Sequence, residues 1–315
     1  MSRRVMPFIA VLVLLAAVAV AVFATLYDRQ DVLEVSLSES AGEPERSSSG
    51  DEPLRIAVAA MTSPKSTFDY YQEILVYIGE RTGRPVELVQ RETYQEINDL
   101  IEQGQLDMAF VCTGAYIEGH DTFGMEILAA PVVYGEPVYY SYTIVDADSA
   151  ATALADLRGA SFAFTDPISN TGTLVPTYLL GQLGETPDTF FGEYIYTYSH
   201  DRSIEAVADG LVDGAAVDSL IYDYMLANDD PAIEGTRILA TSEPYGIPPV
   251  VVHPDLDNEL KRQLRSILLE MHADTEGRAI LSAIKIDRFE VIGDSAYDSV
   301  REMQAWIDEN APSTR

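Results

Sequence analysis

The chain has 315 residues, of which 47% are hydrophobic, and its formal net charge at pH 7 is −31. This length allows a large buried core and is typical of one large or two modest domains. The acidic excess argues against nucleic acid as a partner, because nucleic-acid binding needs a basic surface. It does not exclude a small anionic ligand, which responds to local hydrogen-bond donors rather than to total charge.

The basic residues are mostly arginine, since only Lys65, Lys261 and Lys285 are lysines. An acidic, lysine-poor surface indicates a halophilic protein, because high salt screens the repulsion between like charges. An ordinary acidic exported protein is the alternative. The single cysteine, Cys112, excludes a disulfide framework and a cysteine-rich metal site.

The N-terminus carries a targeting signal. Arg3 and Arg4 precede an apolar run over residues 5–26, which is long enough to span a bilayer with its N-terminus inside. Residues 1–27 are therefore predicted to be a membrane anchor or a cleaved signal peptide, and either would export the remainder. Residues 28–53 are rich in Ser, Glu, Gly and Asp and are predicted to be a disordered acidic linker.

Beyond the linker, strand and helix patterns alternate. Predicted strands over 54–59, 85–89 and 107–112 are separated by predicted helices over 67–82 and 94–103, which favours a parallel sheet covered by helices. A second alternation fills about 146–236. The pattern predicts one lobe over 54–145, a second lobe over 146–237 and a return to the first lobe over 238–315. Val145 and Arg237 would mark the hinge.

The stretch over 161–176 has the features of an anion site. A short apolar strand ends at Asp166-Pro167, and three small polar residues, Ser169, Asn170 and Thr171, precede Gly172 and a predicted helix. Free backbone N–H groups, side-chain donors and the positive end of a helix dipole meet at such a turn. Ordinary helix capping is the alternative, because the same residue types cap helices generally.

These residues resemble the phosphate, phosphite and phosphonate substrate-binding proteins of ABC transporters. The most specific motif is residues 166–176, with Asp-Pro, a run of hydroxyl or amide residues, Gly and Val-Pro. Segments 107–110, 139–141, 198–200 and 213–218 follow the order of the family, and the resemblance covers roughly residues 54–303. It implies an α/β, two-lobed periplasmic-binding-protein-like fold (type II) with a ligand cleft between hinged lobes.

The resemblance also implies roles for individual residues. Ser169, Asn170 and Thr171 would hold the oxygens of a phosphorus oxyanion, with Tyr94 and Tyr139 as phenolic donors that shield the site. Core packing is the alternative for the tyrosines. His200 matches a position that faces the ligand, and a histidine in a surface turn is its alternative.

Further candidates lie where strands end. Open α/β sheets place ligands at the carboxyl ends of their strands, where Thr62, Ser63, Thr113 and Asp218 stand. A carboxylate beside an anion is costly, so Asp218 would accept a proton from the ligand or orient a neighbouring donor. The resemblance implies an ABC permease as partner, an extracytoplasmic location and no cofactor.

One departure from the family bears on the ligand. Members that bind aminoalkyl phosphonates carry acidic residues for the ammonium end, one of them in the C-terminal cleft loop. Here residues 245–250 of that loop contain no acid. A smaller ligand, namely phosphate, phosphite or methylphosphonate, is therefore expected.

An enzyme and a sensing module are the alternatives to a transport protein. An enzyme is disfavoured because the chain has no G-x-S-x-G, H-E-x-x-H or phosphate-loop motif, and its four histidines lack ligand-like spacing. Cys112 could be a nucleophile, but a lone cysteine among apolar residues is more often packed. A membrane-tethered sensing module for a signalling partner remains the alternative, because it would use the same lobe closure.

Overall fold

The computed structural model describes residues 33–36 and 52–310. The predicted anchor or signal peptide lies outside these ranges. Within them, no helix combines the length and apolar character needed to cross a bilayer.

The described chain contains strands and helices in alternation. The strands are β1 (Leu33–Ser36), β2 (Leu54–Val58), β3 (Val86–Val89), β4 (Met108–Phe110), β5 (Glu126–Val132), β6 (Val138–Tyr139), β7 (Ser141–Asp146), β8 (Ser161–Phe164), β9 (Glu193–Tyr196), β10 (Gly214–Asp218), β11 (Thr236–Thr241), β12 (Tyr245–Gly246), β13 (Val250–Val252) and β14 (Arg288–Glu290). The α-helices are α1 (Pro64–Thr82), α2 (Tyr94–Glu102), α3 (Thr113–Phe123), α4 (Val175–Gln182), α5 (Pro187–Phe190), α6 (His200–Ala208), α7 (Ser219–Ala227), α8 (Pro231–Glu234), α9 (Asn258–Glu270), α10 (Thr275–Ala283) and α11 (Asp298–Asn310).

The first lobe is built on a seven-stranded sheet with the order β1-β3-β2-β4-β13-β5-β14. The first four strands in this order are parallel, and β13, β5 and β14 are joined antiparallel. Strand β4 is apolar along its whole length, and β2 is apolar except for Arg55, because helices cover both faces of the sheet. The predicted parallel α/β core is therefore present, with an antiparallel extension.

The second lobe has a five-stranded sheet with the order β11-β7-β10-β8-β9. Strands β10, β8 and β9 are parallel, and β7 lies antiparallel between β10 and β11. The two sheets with their separate apolar cores confirm the predicted two-lobed fold.

The predicted lobe boundaries are wrong by a few residues. Val145 and Arg237, expected at the hinge, pair with each other inside the sheet of the second lobe. The chain crosses instead beside a two-stranded ribbon, in which Tyr139 of β6 pairs with Tyr245 of β12. The crossings lie where β6 meets β7 and where residues 242–244 join β11 to β12, and neither short segment is distinctive of a hinge in the sequence.

The predicted disordered linker also contains structure. Strand β1 lies within residues 28–53 and pairs in parallel with β3, with Leu33 opposite Val86 and Ser36 opposite Val89. Leu33 and Val35 alternate with polar residues, which is a strand pattern. This strand pattern is short, and the acidic, serine-rich composition around it led to the prediction of a disordered linker. The rest of the predicted linker, up to residue 51, lies outside the described residues.

The C-terminal helix α11 joins the two lobes. Val300 and Met303 belong to the core of the first lobe, while Trp306 packs edge-on against Tyr178 of α4, with ring centroids 5.1 Å apart. Gly181 of α4 lies directly under the indole, where a Cβ atom would stand 2.6 Å from it. The second lobe therefore rests on a helix that the first lobe anchors.

Candidate functional site

The predicted ligand residues gather at helix starts that face the cleft. Every one of them except Tyr139 and Thr62 stands at, just before or one residue after the first residue of a helical segment, and Thr62 lies two residues before Pro64, where α1 begins. Helices α1, α2, α3, α6 and α7 therefore direct the positive ends of their dipoles toward one region. Free N–H groups and partial positive charge suit an anion there.

The polar turn of the second lobe is a π-helical turn over Asn170–Leu174 that leads into α4. Ser169 caps it, because its Oγ accepts a hydrogen bond from the Gly172 N–H at 3.1 Å. Gly172 cannot carry a side chain, since a Cβ atom would lie 2.4 Å from Thr165 Oγ1. Capping thus accounts for the hydroxyl oxygen of Ser169, but it leaves Asn170 and Thr171 unexplained.

Five buried polar atoms of the cleft have no hydrogen-bond partner in the described part of the protein. They belong to Tyr94 (Oη), Asn170 (Oδ1), Thr171 (Oγ1), Ser199 (Oγ) and His200 (Nε2). These residues are at most 1% exposed. A buried polar atom without a partner costs about 1–3 kcal/mol, and native proteins tolerate few of them. The cluster therefore has the chemistry of a site for a ligand with several hydrogen-bonding oxygens. Two further unpartnered atoms, Asn98 Oδ1 and Glu118 Oε2, lie on α2 and α3.

Ser199 is the site residue that the sequence analysis missed. It stands at the N-cap position of α6, but its hydroxyl makes no capping hydrogen bond. The sequence could have indicated Ser199, because it is a small hydroxyl residue directly before His200, the candidate at the start of a helix.

His200 is a neutral hydrogen-bond donor. Its Nδ1 accepts a hydrogen bond from the backbone N–H of Asp218 at 3.1 Å, so the ring hydrogen resides on Nε2, the atom without a partner. Nδ1 also lies 3.0 Å from Thr165 Oγ1, beside the polar turn. Complete burial lowers the pKa of His200 to about 3. The imidazole therefore stays neutral at physiological pH. Because His200 is fully buried, it is not a histidine in a surface turn, which was the alternative.

Asp218 orders the site from the second lobe. Its Oδ1 accepts the Leu220 N–H at 2.7 Å and so caps α7, while its own N–H orients His200. Burial raises the pKa of Asp218 to about 7. Of the two roles considered for this residue, the geometry supports the ordering of a neighbouring donor.

Tyr139 and Thr113 connect the site to the hinge ribbon. The Asn170 amide nitrogen donates to Tyr139 Oη at 3.0 Å, and Thr113 Oγ1 donates to the Gly246 carbonyl of β12 at 2.7 Å. The hydroxyl hydrogen of Thr113 is thus committed to the backbone. Thr113 supports the site rather than donating to it.

The loop that carries Thr62 and Ser63 acts as a clasp between the lobes. The Ser63 N–H lies 2.9 and 3.0 Å from the two carboxylate oxygens of Asp201 in the second lobe. The His200 N–H donates to the Met61 carbonyl at 2.9 Å. Thr62 itself pairs with Thr67 at 2.9 Å, within the start of α1. These contacts across the cleft define a closed arrangement of the lobes.

A second interlobe contact lies at the polar turn. Asp166 Oδ2 accepts the Tyr94 N–H at 3.0 Å, so a carboxylate of the second lobe binds the start of α2 in the first. Gly114 of α3 approaches the same turn, and a Cβ atom there would lie 2.1 Å from the Ile168 carbonyl oxygen. A glycine at this position lets the lobes close.

A wider cleft of about 920 Å³, including its open mouth, adjoins the polar cluster at Thr62 and Asp218. Its walls are mostly apolar and aromatic, and the Asp218 and Asp223 carboxylates line it. The loop over 245–250 lacks an acid as expected, but these two carboxylates weaken the sequence argument against a ligand with an ammonium group.

Within the described residues, no cluster of three or more His, Cys, Asp or Glu side chains could hold a metal ion. Cys112 is buried, and burial raises the pKa of its thiol to about 11. A neutral, enclosed thiol is a poor nucleophile. Cys112 is therefore a packed core residue, which was the alternative to a nucleophile in the sequence analysis.

Comparison with known proteins gives a consistent result. A family model described as the periplasmic substrate-binding protein of phosphonate ABC transporters matches residues 56–297. The phosphate-import protein PhnD of Mycolicibacterium smegmatis is 28% identical over 211 residues, which cover 63% of this chain and 66% of that relative. The chain thus spans just under two thirds of the length of that relative.

Two crystal structures share the fold. A binding protein component of an ABC phosphonate transporter from Pseudomonas aeruginosa has a TM-score of 0.78 at 22% identity, over 82% of this chain and 88% of that one. PhnD1 from Prochlorococcus marinus in complex with methylphosphonate has a TM-score of 0.74 at 17% identity, over 82% and 99%.

The two lobes, the hinge ribbon and the polar cleft define a solute-binding protein of the type II fold. The chain belongs to the family of periplasmic substrate-binding proteins of phosphonate ABC transporters. The relatives are binding proteins rather than enzymes, which confirms the non-enzymatic prediction.

Replacement of Gly114 by alanine should hinder closure, because the new methyl group would overlap the Ile168 carbonyl. We expect ligand affinity to fall by roughly tenfold or more, since overpacking typically costs about 1–3 kcal/mol. Calorimetry would measure the affinity. Gly293→Ala is the matched control, because the nearest atom to its Cβ position is 3.8 Å away. Equal affinity for both variants would contradict this role.

Asp218→Asn should change how stability depends on pH. The raised pKa means that Asp218 favours the folded state while protonated, and this contribution is lost as pH rises from 3.8 to about 7. Asparagine can keep the helix cap without the charge. The unfolding temperature of the ligand-free variant, relative to that of the wild type, should therefore rise with pH across this range. Above about pH 7 the difference should stay constant. Asp257→Asn, at the exposed cap of α9, is the control. Parallel pH profiles for wild type and Asp218→Asn would refute the assignment.

Proposed function

We propose that the protein captures a small phosphorus oxyanion (phosphate, phosphite or an alkylphosphonate) outside the cytoplasm and presents it to an ABC importer. The observation that carries the proposal is the set of unpartnered, fully buried polar atoms between the lobes. A ligand that leaves them unpaired would forfeit about 1–3 kcal/mol at each. Several oxygens at one centre can pair together with the four donors among them.

The donors suit such an oxyanion. Tyr94, Thr171 and Ser199 offer hydroxyl groups, and His200 offers its Nε2–H, while no lysine or arginine belongs to the cluster. Hydrogen bonds to a charged oxygen are stronger than those between neutral groups. The helix starts around the cluster add positive potential without a mobile cation. Local dipoles thus bind the anion despite the acidic surface.

Lobe closure is the proposed mechanism. The oxyanion first binds the polar turn at 169–171 of the second lobe. Tyr94 of the first lobe then closes over it, together with Tyr139 at the hinge ribbon. A ligand shifts the lobes toward the closed form by the bonds that it makes only there. Tyr94 contributes in this way, because its Oη lies on the opposite lobe from Thr171 and His200.

The partner and location follow from the family. We infer an ABC permease that recognises the closed form, and a position outside the cytoplasm, with residues 5–26 as a membrane anchor or signal peptide. The sensing alternative uses the same closure, and no contact in the described residues favours it over transport.

Thr171→Val provides the sharpest test, because valine keeps the shape of threonine and removes a hydroxyl that has no partner among the described residues. We expect weaker binding of the preferred oxyanion by about 1–3 kcal/mol, with the ligand-free stability unchanged or raised. Ser169→Ala should also weaken binding, but it removes the cap of the turn as well. Calorimetry with phosphate, phosphite, methylphosphonate and 2-aminoethylphosphonate would identify the ligand.

Thr122→Val is the matched control, since the exposed Thr122 hydroxyl bonds to the backbone carbonyls of Glu118 and Gly119 in its own helix, α3. Unchanged affinity in Thr171→Val would contradict the site. An absence of heat with all four oxyanions, on folded protein, would overturn the proposed function.

A further inference from the structure

We infer that two aspartates of the second lobe, Asp201 and Asp166, are positioning residues that hold the cleft closed by binding two helix starts of the first lobe. This pair is called the carboxylate latch below. Neither aspartate is among the residues proposed to bind the oxyanion. The inference goes beyond the proposed function, because the latch acts on the lobes and does not depend on which solute binds.

The first half of the latch completes the cap of α1. Ser63 occupies the N-cap position, but its side chain makes no capping hydrogen bond, and the first turn of α1 contains no acidic residue. In a capping box, a Glu or Gln at the third helical residue binds the N–H of the N-cap residue. Here Asp201 takes that role from the other lobe, with its two oxygens 2.9 and 3.0 Å from the Ser63 nitrogen. Helix α1 thus gains a negative charge at its N-terminus through lobe closure.

The second half of the latch binds the start of α2. This helix has a capping box of its own, which uses the N–H groups of Thr93 and Glu96 but not that of Tyr94. Asp166 Oδ2 accepts the Tyr94 N–H at 3.0 Å, while Oδ1 accepts the Ile168 N–H at 3.0 Å within the polar turn. One carboxylate therefore positions Tyr94 against the turn that is proposed to hold the oxyanion.

Both carboxylates are almost fully buried, with Asp166 2% and Asp201 4% exposed. Hydrogen bonds to an ionised acceptor are stronger than those between neutral groups. The latch contains no ligand atom, so it stabilises the closed form whether or not a solute is bound. Apparent affinity scales with the fraction of protein that is competent to bind. A weaker latch should therefore lower the affinity for every ligand by the same factor.

Asp201→Ala on the full chain tests the latch, because Asp166 also orders the polar turn and would confuse the result. We expect the ligand-free variant to be more open, with a larger radius of gyration in X-ray scattering than the wild type. Affinity for methylphosphonate and for phosphate should fall by the same factor, roughly tenfold, mainly through faster dissociation. Asp201→Asn keeps one acceptor oxygen and should lie between the two. Asp209→Ala, at the exposed C-terminal end of the same helix, is the matched control.

Ser63→Pro tests the same hydrogen bond from the first lobe. Proline removes the N–H that Asp201 accepts, and the φ of −56° at Ser63 suits a proline. This variant should also open the ligand-free protein. Because the two residues share one interaction, Ser63→Pro combined with Asp201→Ala should bind no more weakly than the weaker single variant. Additive losses would contradict the latch.

Two results for Asp201→Ala would overturn the inference and leave the proposed function standing. One is an unchanged affinity together with an unchanged radius of gyration. The other is a loss for only one of the two ligands, which would indicate that Asp201 contacts the ligand. If the wild type binds neither ligand, the proposed function fails, and the scattering of the ligand-free proteins alone decides whether the latch exists.

Discussion

A polar atom that is buried must find a hydrogen-bond partner, and the cleft between the two lobes is organised around atoms for which the described protein offers none. Thr171, Ser199 and His200 bring three of them from the second lobe, and Tyr94 brings one from the first. Their pairing requires both a ligand and lobe closure. Binding and closure are therefore one event in this account, which is how a solute-binding protein signals its loaded state.

The electrostatics of the site differ from those of the whole molecule. The chain carries a net charge of −31, yet the cleft is arranged for an anion through helix starts and neutral donors. His200 is kept neutral by burial, and its ring is oriented by the Asp218 backbone. A site of fixed dipoles needs no mobile cation, so competition from salt at the protein surface changes it little.

Much of the fold was predictable, because strand and helix periods were strong where helices cover the sheets. The anion turn was also visible, since Ser169, Asn170 and Gly172 form a distinctive sequence before a helix. The hinge could not be placed, because the predicted boundary falls inside strands β7 and β11, and their local sequence does not indicate which lobe they join. Helix α3 was missed, since its first residues, Thr113 and Gly114, are typical of a turn.

Long-range contacts account for the remaining differences. The hydrogen bond between Ser63 and Asp201 joins residues 138 positions apart, and no local sequence pattern predicts it. Thr113 is committed to Gly246, again from another part of the chain, so its predicted role as a ligand donor changed to a supporting one. Sequence position supplied candidates for the cleft, and it missed Ser199. Only the fold shows which of their atoms remain available there.

The most direct test of the central claim is a crystal structure of the protein with methylphosphonate. The account predicts phosphonate oxygens within hydrogen-bonding distance of Tyr94 Oη, Thr171 Oγ1 and His200 Nε2, with the lobes closed as described. A phosphonate bound elsewhere, or bound between the lobes while these atoms remain unpaired, would contradict it.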